Sequence, residues 1–378
     1  GQFKHDETNP NSLSHDNIKC LLMEEAKGIW IGTIKGLDFY DFKRKQFIHF
    51  RNNPENKKGL PDDVIYDILK DNNGNLWVAT YFGGLARIDR ERGVVENVYS
   101  HDPSNPRTLC SQTVTCLFKD SGSNLWIGTA SGLNKQLDDG SFLRIPADPA
   151  HISTGNELYV TTIFEDSRKR LWIGSRGRGL HLVADDGRIV RHFTPKDGLP
   201  GNSVYGLQED QKGFLWISTE NGLSRFDGET FTFKNYNRSD GLFCKEFNFN
   251  SDHRDELGNF YFGGYNGVAW FHPDSIYENM VQPPVVFTSV RLFNKEIRAH
   301  DKTGVMENNV SSEGTLRFDY HQNIFSVEFA VLNFINSSKN QFAYKLEGFE
   351  DEWNHVREPV ATYMNLSPGT YTLHVKGA

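Results

Sequence analysis

The 378 residues include 34 glycines, 13% aromatics and only four methionines, with 24% charged residues and a formal charge of −8. A chain of that length suits one large repeat domain plus a smaller unit, and its glycine and aromatic content favours strands and tight turns over an all-helical fold. The negative charge gives nucleic acid no general attraction, no apolar run reaches the roughly 18 residues of a spanning helix, no signal-type segment opens the chain, and Cys20, Cys110, Cys116 and Cys244 form no CxxC pair or zinc-type spacing, so neither a metal nor a cofactor is indicated.

The chain opens inside a repeat. The segment from His5-Asp6 to Leu13 matches that from His101-Asp102 to Leu109, which follows an outer strand, so the first residues read as a stray fourth strand. Either residues near Phe3 complete the last repeat and close a ring, or a further repeat lies upstream.

One segment is then written five times: Gly28 to Thr33, Asn75 to Thr80, Asn124 to Thr129, Arg170 to Ser175 and Phe214 to Thr219, with a looser sixth copy from Asn259 to Gly264. The central aromatics Trp30, Trp77, Trp126, Trp172, Trp216 and Tyr261 are spaced by 44 to 49 residues, the length of a four-stranded propeller blade. Twelve residues before each Trp stands a β-branched residue (Ile18, Ile65, Val114, Val160, Val204), with Phe249 in the sixth copy, marking the innermost strand. Two residues on come Cys20, Asp67, Cys116, Thr162, Gly206 and Ser251, none of them large, as converging inner strands require. Six residues before each anchor there is an acid: Glu24, Asp71, Asp120, Asp166, Asp210 and Asp255. An acid present in every repeat caps the tight turn between strands one and two rather than performing catalysis. Gly-Leu follows each of the five Trp anchors and Gly267-Val268 the sixth, opening strand three, and an outer strand such as Phe231 to Tyr236 completes the period.

The turn between strands two and three shares a face with the lead-in to the next blade, and there the repeats differ. The second copy carries Tyr81-Phe82-Gly83 and the fourth Arg176-Gly177-Arg178, each one residue longer than Ile34-Lys35, Ala130-Ser131 or Glu220-Asn221. Tyr81 and Phe82 could stack on a sugar ring, and Arg176 and Arg178 could bind its hydroxyls, a carboxylate or a sulfate. Lys35, Glu220, Asn221, Tyr265 and Asn266 occupy the equivalent turns, and Tyr159, Asn202, Lys245 and Glu246 the lead-ins on the same face. Taken singly each reads equally well as a solvated turn residue; as a set they form the candidate ligand site. No catalytic residue is assigned: Asp138-Asp139 and Asp185-Asp186 sit in outer turns, and the 13 histidines show no metal spacing.

Near Gln282-Pro283-Pro284 the period stops, giving a propeller over 1–282 and a second unit over 283–378. Alternation at Leu316, Phe318 and Tyr320, then Phe325 to Val331, Phe342 to Leu346 and Tyr371 to Val375, predicts an antiparallel immunoglobulin- or fibronectin-like sandwich.

The repeats resemble the two-component-regulator propeller repeat. The second unit resembles the Y_Y_Y domain, through Tyr320-His321-Gln322-Asn323, Tyr344 to Phe349, Trp353, Ala361 to Tyr363, Leu366 to Gly369 and Tyr371. The pair typifies the periplasmic sensor region of hybrid two-component systems. The resemblance implies an oligosaccharide ligand, a downstream membrane helix and histidine kinase, a homodimer in the full protein, no contact of this region with nucleic acid, and no enzymatic activity of its own. A propeller glycosidase or lyase, or an adhesion module, are the competing classes.

Overall fold

The computed structural model describes residues 2–53, 55, 59–90, 93–145, 157–184, 186–276, 283–312, 314–333 and 340–377. The chain divides into two compact units, Gly1–Ile276 and Tyr277–Ala378. The boundary expected at residue 282 falls outside the described residues.

The first unit is a β-propeller of six antiparallel sheets, with strands in chain order across each sheet. Blade one is built from Ile18–Glu24, Gly28–Thr33, Gly36–Asp41 and Gln46–Phe50, and blades two to five repeat it. Blade six has three strands, Phe247–Arg254, Phe260–Gly264 and Gly267–Phe271.

The repeat signals turn out to be one mechanism. In blade three the Asp120 carboxylate accepts from the Asn124 backbone N–H and from the Trp126 indole Nε1, each at 2.8 Å. Asp166 and Trp172, and Asp210 and Trp216, repeat the arrangement at 2.8 Å. The acid caps its turn, as expected, and also satisfies the one polar atom of a buried indole, which fixes the six-residue spacing. The Gly after the anchor serves the next blade. A Cβ on Gly128 would lie 2.4 Å from Cys116 Sγ and 2.8 Å from Val160 Cγ1 of blade four. Gly32 meets Cys20 and Ile65 in the same way, and Gly174 meets Thr162 and Val204. The small residue, the glycine and the next blade's β-branched residue therefore interlock at the joints between blades one and two, three and four, and four and five, while Ala79 takes the glycine's place in blade two, and Ile65, Val114, Val160 and Val204 are fully buried.

Two expectations are corrected. Phe249 does not occupy the inner-strand position of blade six: Phe247 pairs with Gly264 as Ile18 pairs with Thr33, and is buried, while a wide bulge up to Asp252 turns Phe249 inward. Nor does Phe3 complete blade six. Residues 2–6 form no strand, and the Phe3 ring packs 4.6 Å from Tyr40 and 5.4 Å from Phe47 of blade one. The two end blades accordingly keep open faces. Ile18 is 46% exposed, and Val268 is 61% exposed although its equivalents Leu37, Leu85, Leu133, Leu180 and Leu223 are buried. Among the described residues no apolar core joins blade six to blade one.

The second unit is a sandwich of two antiparallel sheets. One orders Lys295–Glu296, Val285–Leu292, Ile324–Val331 and Val360–Met364; the other orders Asn354–Val356, Phe342–Glu347 and Thr372–Gly377. Val290, Val327, Phe329, Leu346, Ala361 and Tyr363 are buried within it. The strand expected at Leu316 to Tyr320 is absent. Leu316 and Phe318 do pack against the core, but the segment has no ladder partner, so alternation reported burial without pairing.

Candidate functional site

One face of the propeller is assembled by main-chain bonds. The first turn residue after strand two donates back to the lead-in of its own blade: Tyr81 N to Val64 O at 3.0 Å, Arg176 N to Tyr159 O at 2.9 Å, Tyr265 N to Glu246 O at 3.2 Å. The glycine closing the turn donates to the next lead-in, as Gly36 N does to Asp63 O at 2.7 Å and Gly179 N to Asn202 O at 2.6 Å. Turns and lead-ins thus share a rim around the axis.

A one-residue bulge in the first strand of blades one to five adds a second layer. It sets Lys19, Tyr66, Thr115, Thr161 and Tyr205 outside the regular pairing. In blades three and four this residue locks the ring, because the hydroxyls of Thr115 and Thr161 donate to the carbonyls of Val160 and Val204 in the following blade. In blades two and five it is an aromatic. Tyr66 stacks on Tyr81 at 5.2 Å, and its hydroxyl lies near that of Tyr159. Tyr205 packs 4.8 Å from Phe249, which also meets Tyr159 at 6.2 Å. Asn250 Nδ2 of blade six donates to Tyr66 O of blade two at 3.0 Å. The Arg176 guanidinium lies over the Tyr159 ring at 5.9 Å, and Lys19 Nζ over the Tyr66 ring at 5.9 Å.

Of the residues expected at the site, Tyr81, Tyr159 and Arg176 are brought together here. Phe82 is 67% exposed and meets Tyr81 edge-on at 4.3 Å. Tyr265, 75% exposed, lies close enough to Tyr205 to interact with it electrostatically. Glu220 has a framework role, its two oxygens accepting from the backbones of Asn202 at 2.8 Å and Ser203 at 2.7 Å, while Asn221 Nδ2 donates to Pro200 O. Arg178 stands by His181 instead of the aromatic cluster. Lys35, Lys245, Glu246 and Asn266 are exposed turn or lead-in residues with no side-chain contact to it among the described residues. Sequence reasoning missed Tyr66, Tyr205 and Phe249. The available signal was an aromatic at a position that holds Thr in blades three and four.

Burial raises the hydroxyl pKa values of Tyr66, Tyr159 and Tyr205, so the phenols are neutral donors at physiological pH. One residue beyond Tyr66, burial pushes Asp67 up to about 7, although Ile68 N and Leu117 N donate to it. Asp252, which accepts from Gln208 Nε2 at 2.7 Å, is pushed up to about 6 by the same cause. Of the outer-turn acids, Asp139 pairs with Arg107 and Asp186 with Arg188, whereas Asp185 lies outside the described residues. The described residues contain no cluster of three or more His, Cys, Asp or Glu side chains that could hold a metal. A tyrosine platform with cations over its rings can stack on a pyranose face and hydrogen-bond its substituents.

Fold and rim together define a β-propeller module followed by a β-sandwich. The chain carries two-component-regulator propeller repeats, matched at residues 59–82, 108–131, 154–177 and 198–221, and a Y_Y_Y domain, matched at 333–378. It is 31% identical over 397 residues to histidine kinase P4 of Formosa agariphila, aligning over all of this chain and 28% of that protein. The solved extracellular domain of BT4673 from B. thetaiotaomicron, assigned to a hybrid two-component system, superposes with a TM-score of 0.57 at 24% identity over 98% of this chain and 49% of that one. Virginiamycin B lyase from Staphylococcus aureus gives a TM-score of 0.52 at 16% identity over 69% of this chain and 81% of that one, a likeness of propeller fold alone. The chain spans about a quarter of the curated relative and about half of the BT4673 domain. It is similar to extracellular sensor regions of two-component proteins, and no helix among the described residues is long and apolar enough to cross a membrane.

Proposed function

We propose that this region binds an oligosaccharide on the rim formed by Tyr66, Tyr81, Tyr159, Tyr205, Phe249 and Arg176, outside the cell membrane on the periplasmic side. The sandwich then relays occupancy to a membrane helix and a histidine kinase in a dimeric full-length protein. The aromatic cluster at the axis carries this reading. Four blades contribute rings to it, two of them, Tyr66 and Tyr205, at the bulge position that holds Thr in blades three and four, and aromatic faces combined with neutral phenol donors suit sugar rings. Phe82, Arg178 and Tyr265 extend the surface outward. Lys35, Asn202, Glu220, Asn221, Lys245, Glu246 and Asn266 would contribute at most at the margin of a long ligand.

The test is a thermal-shift screen against an oligosaccharide panel, repeated with Tyr159→Ala. A ligand that binds only the folded state raises the midpoint with concentration. A ligand whose shift survives in Tyr159→Ala binds elsewhere.

A further inference from the structure

We infer that the saccharide this rim accepts is anionic, with a carboxylate or sulfate ester seated between Arg176 and Lys19 over the Tyr159 and Tyr66 rings. This rests on the saccharide reading of the same site and narrows it. The charge inventory of the rim is the ground. Apart from the exposed Glu246, which makes no side-chain contact with the aromatic cluster, its acids are taken up by the framework. Asp62 Oδ2 accepts from Phe82 N at 2.7 Å, both Glu220 oxygens accept from backbone amides, and Asp67 and Asp252 are hydrogen-bonded by Leu117 N and Gln208 Nε2.

The cations are placed the opposite way. Arg176 and Lys19 lie over rings, and neither has a carboxylate partner among the described residues, although ion pairs are common elsewhere in the propeller. Arg176, over the Tyr159 ring, is also within electrostatic reach of Tyr66 and Tyr205. Two cations from different blades, each resting on a ring whose face can also receive a sugar, leave their outward donors for an anionic substituent. A planar guanidinium is suited to take two oxygens of one carboxylate or sulfate. A neutral sugar would cover the exposed guanidinium without giving it a charged partner and gain less.

Three galactose-based probes of equal length separate the alternatives: galactotetraose, tetragalacturonate and a κ-carrageenan tetrasaccharide, titrated calorimetrically at two salt concentrations. The expected result is that one or both anionic probes bind at least about tenfold more tightly than galactotetraose. Added salt should weaken that preference, and Arg176→Ala should abolish it while leaving residual binding through the rings. Arg176→Lys, which retains charge, should keep part of it. Which probe wins distinguishes carboxylate from sulfate. Equal binding of all three, abolished by Tyr159→Ala, would overturn the anionic assignment and leave the saccharide reading intact. No binding of any probe, in protein whose melting curve shows a folded propeller, would overturn both.

Discussion

The indole N–H of Trp126 and the carboxylate of Asp120 meet at 2.8 Å, and this pairing joins a tight turn to the packing between blades. The same carboxylate accepts from the Asn124 backbone and side chain, so one residue satisfies three donors, one of them from a buried indole. Asp120→Ala should therefore cost more than the loss of a turn cap, about 1–3 kcal/mol in urea unfolding, because the indole N–H loses its acceptor. Asp120→Asn, which keeps one acceptor oxygen, should cost less. In a double-mutant cycle Asp120→Ala and Trp126→Phe should be less than additive, since the second change removes the stranded donor.

A second prediction concerns the interlock at the glycine after the anchor. Gly128→Ala should destabilise the propeller by about 1–3 kcal/mol, because the new methyl meets both Cys116 Sγ and Val160 Cγ1. Blade five shows the compensation: Ser218 stands at the glycine position, and its strand partner is Gly206. Cys116→Gly combined with Gly128→Ala should recover part of the loss. A double variant no more stable than Gly128→Ala alone would show that the clash lies with blade four.

How much could be read in advance follows from what these signals encode. The acid, the Trp, the glycine and Gly-Leu act at fixed offsets within a turn or across one pair of strands, so a period in the sequence reports them directly. Tyr66 and Tyr205 were hidden because they occupy bulges, and a strict alternation of two assigns no orientation to an inserted residue. Phe249 was misplaced for the same reason, since the bulge in blade six is wider and shifts the buried position to Phe247. Glu220 had the chemistry of a binding residue, and only the three-dimensional arrangement showed both of its oxygens committed to Asn202 and Ser203.

The open faces of the end blades give a third prediction. Val160→Ser should cost about 2–4 kcal/mol through lost burial and a hydroxyl placed in an apolar joint. The same change at the equivalent Ile18, 46% exposed, should cost no more than about 1 kcal/mol. Comparable losses at both positions, read from chemical unfolding, would mean that a partner surface covers Ile18 in solution.

The last prediction is a pH dependence set in the inner strands. Burial raises Asp67 to about 7 and Asp252 to about 6, from an ordinary value of 3.8, and each is also within reach of the strand framework rather than of a cation. For a carboxyl raised in the folded state, the folded protein binds its proton more tightly than the unfolded chain. Its contribution to stability is fully present below about pH 4 and is lost as pH rises through 6 to 7, then stays constant. Opposing this, Asp120, which is held below the usual carboxylate value with its Trp126 and Asn124 hydrogen bonds favouring the ionised form, contributes stability that is lost as pH falls below about 4. The melting temperature of the propeller should thus be highest near pH 5 and fall toward pH 8. A carboxyl moved this far is worth up to about 4 kcal/mol, and the partial exposure of Asp67 reduces it to on the order of 1–2 kcal/mol. Asp67→Asn keeps an acceptor for Leu117 N without the charge, so it should flatten the fall between pH 6 and 8 and leave the acid side unchanged. Calorimetric melting at one-unit pH steps checks both statements. A melting temperature that rises from pH 5 to 8, or a slope that Asp67→Asn leaves intact, would show that Asp67 is ionised in the folded propeller.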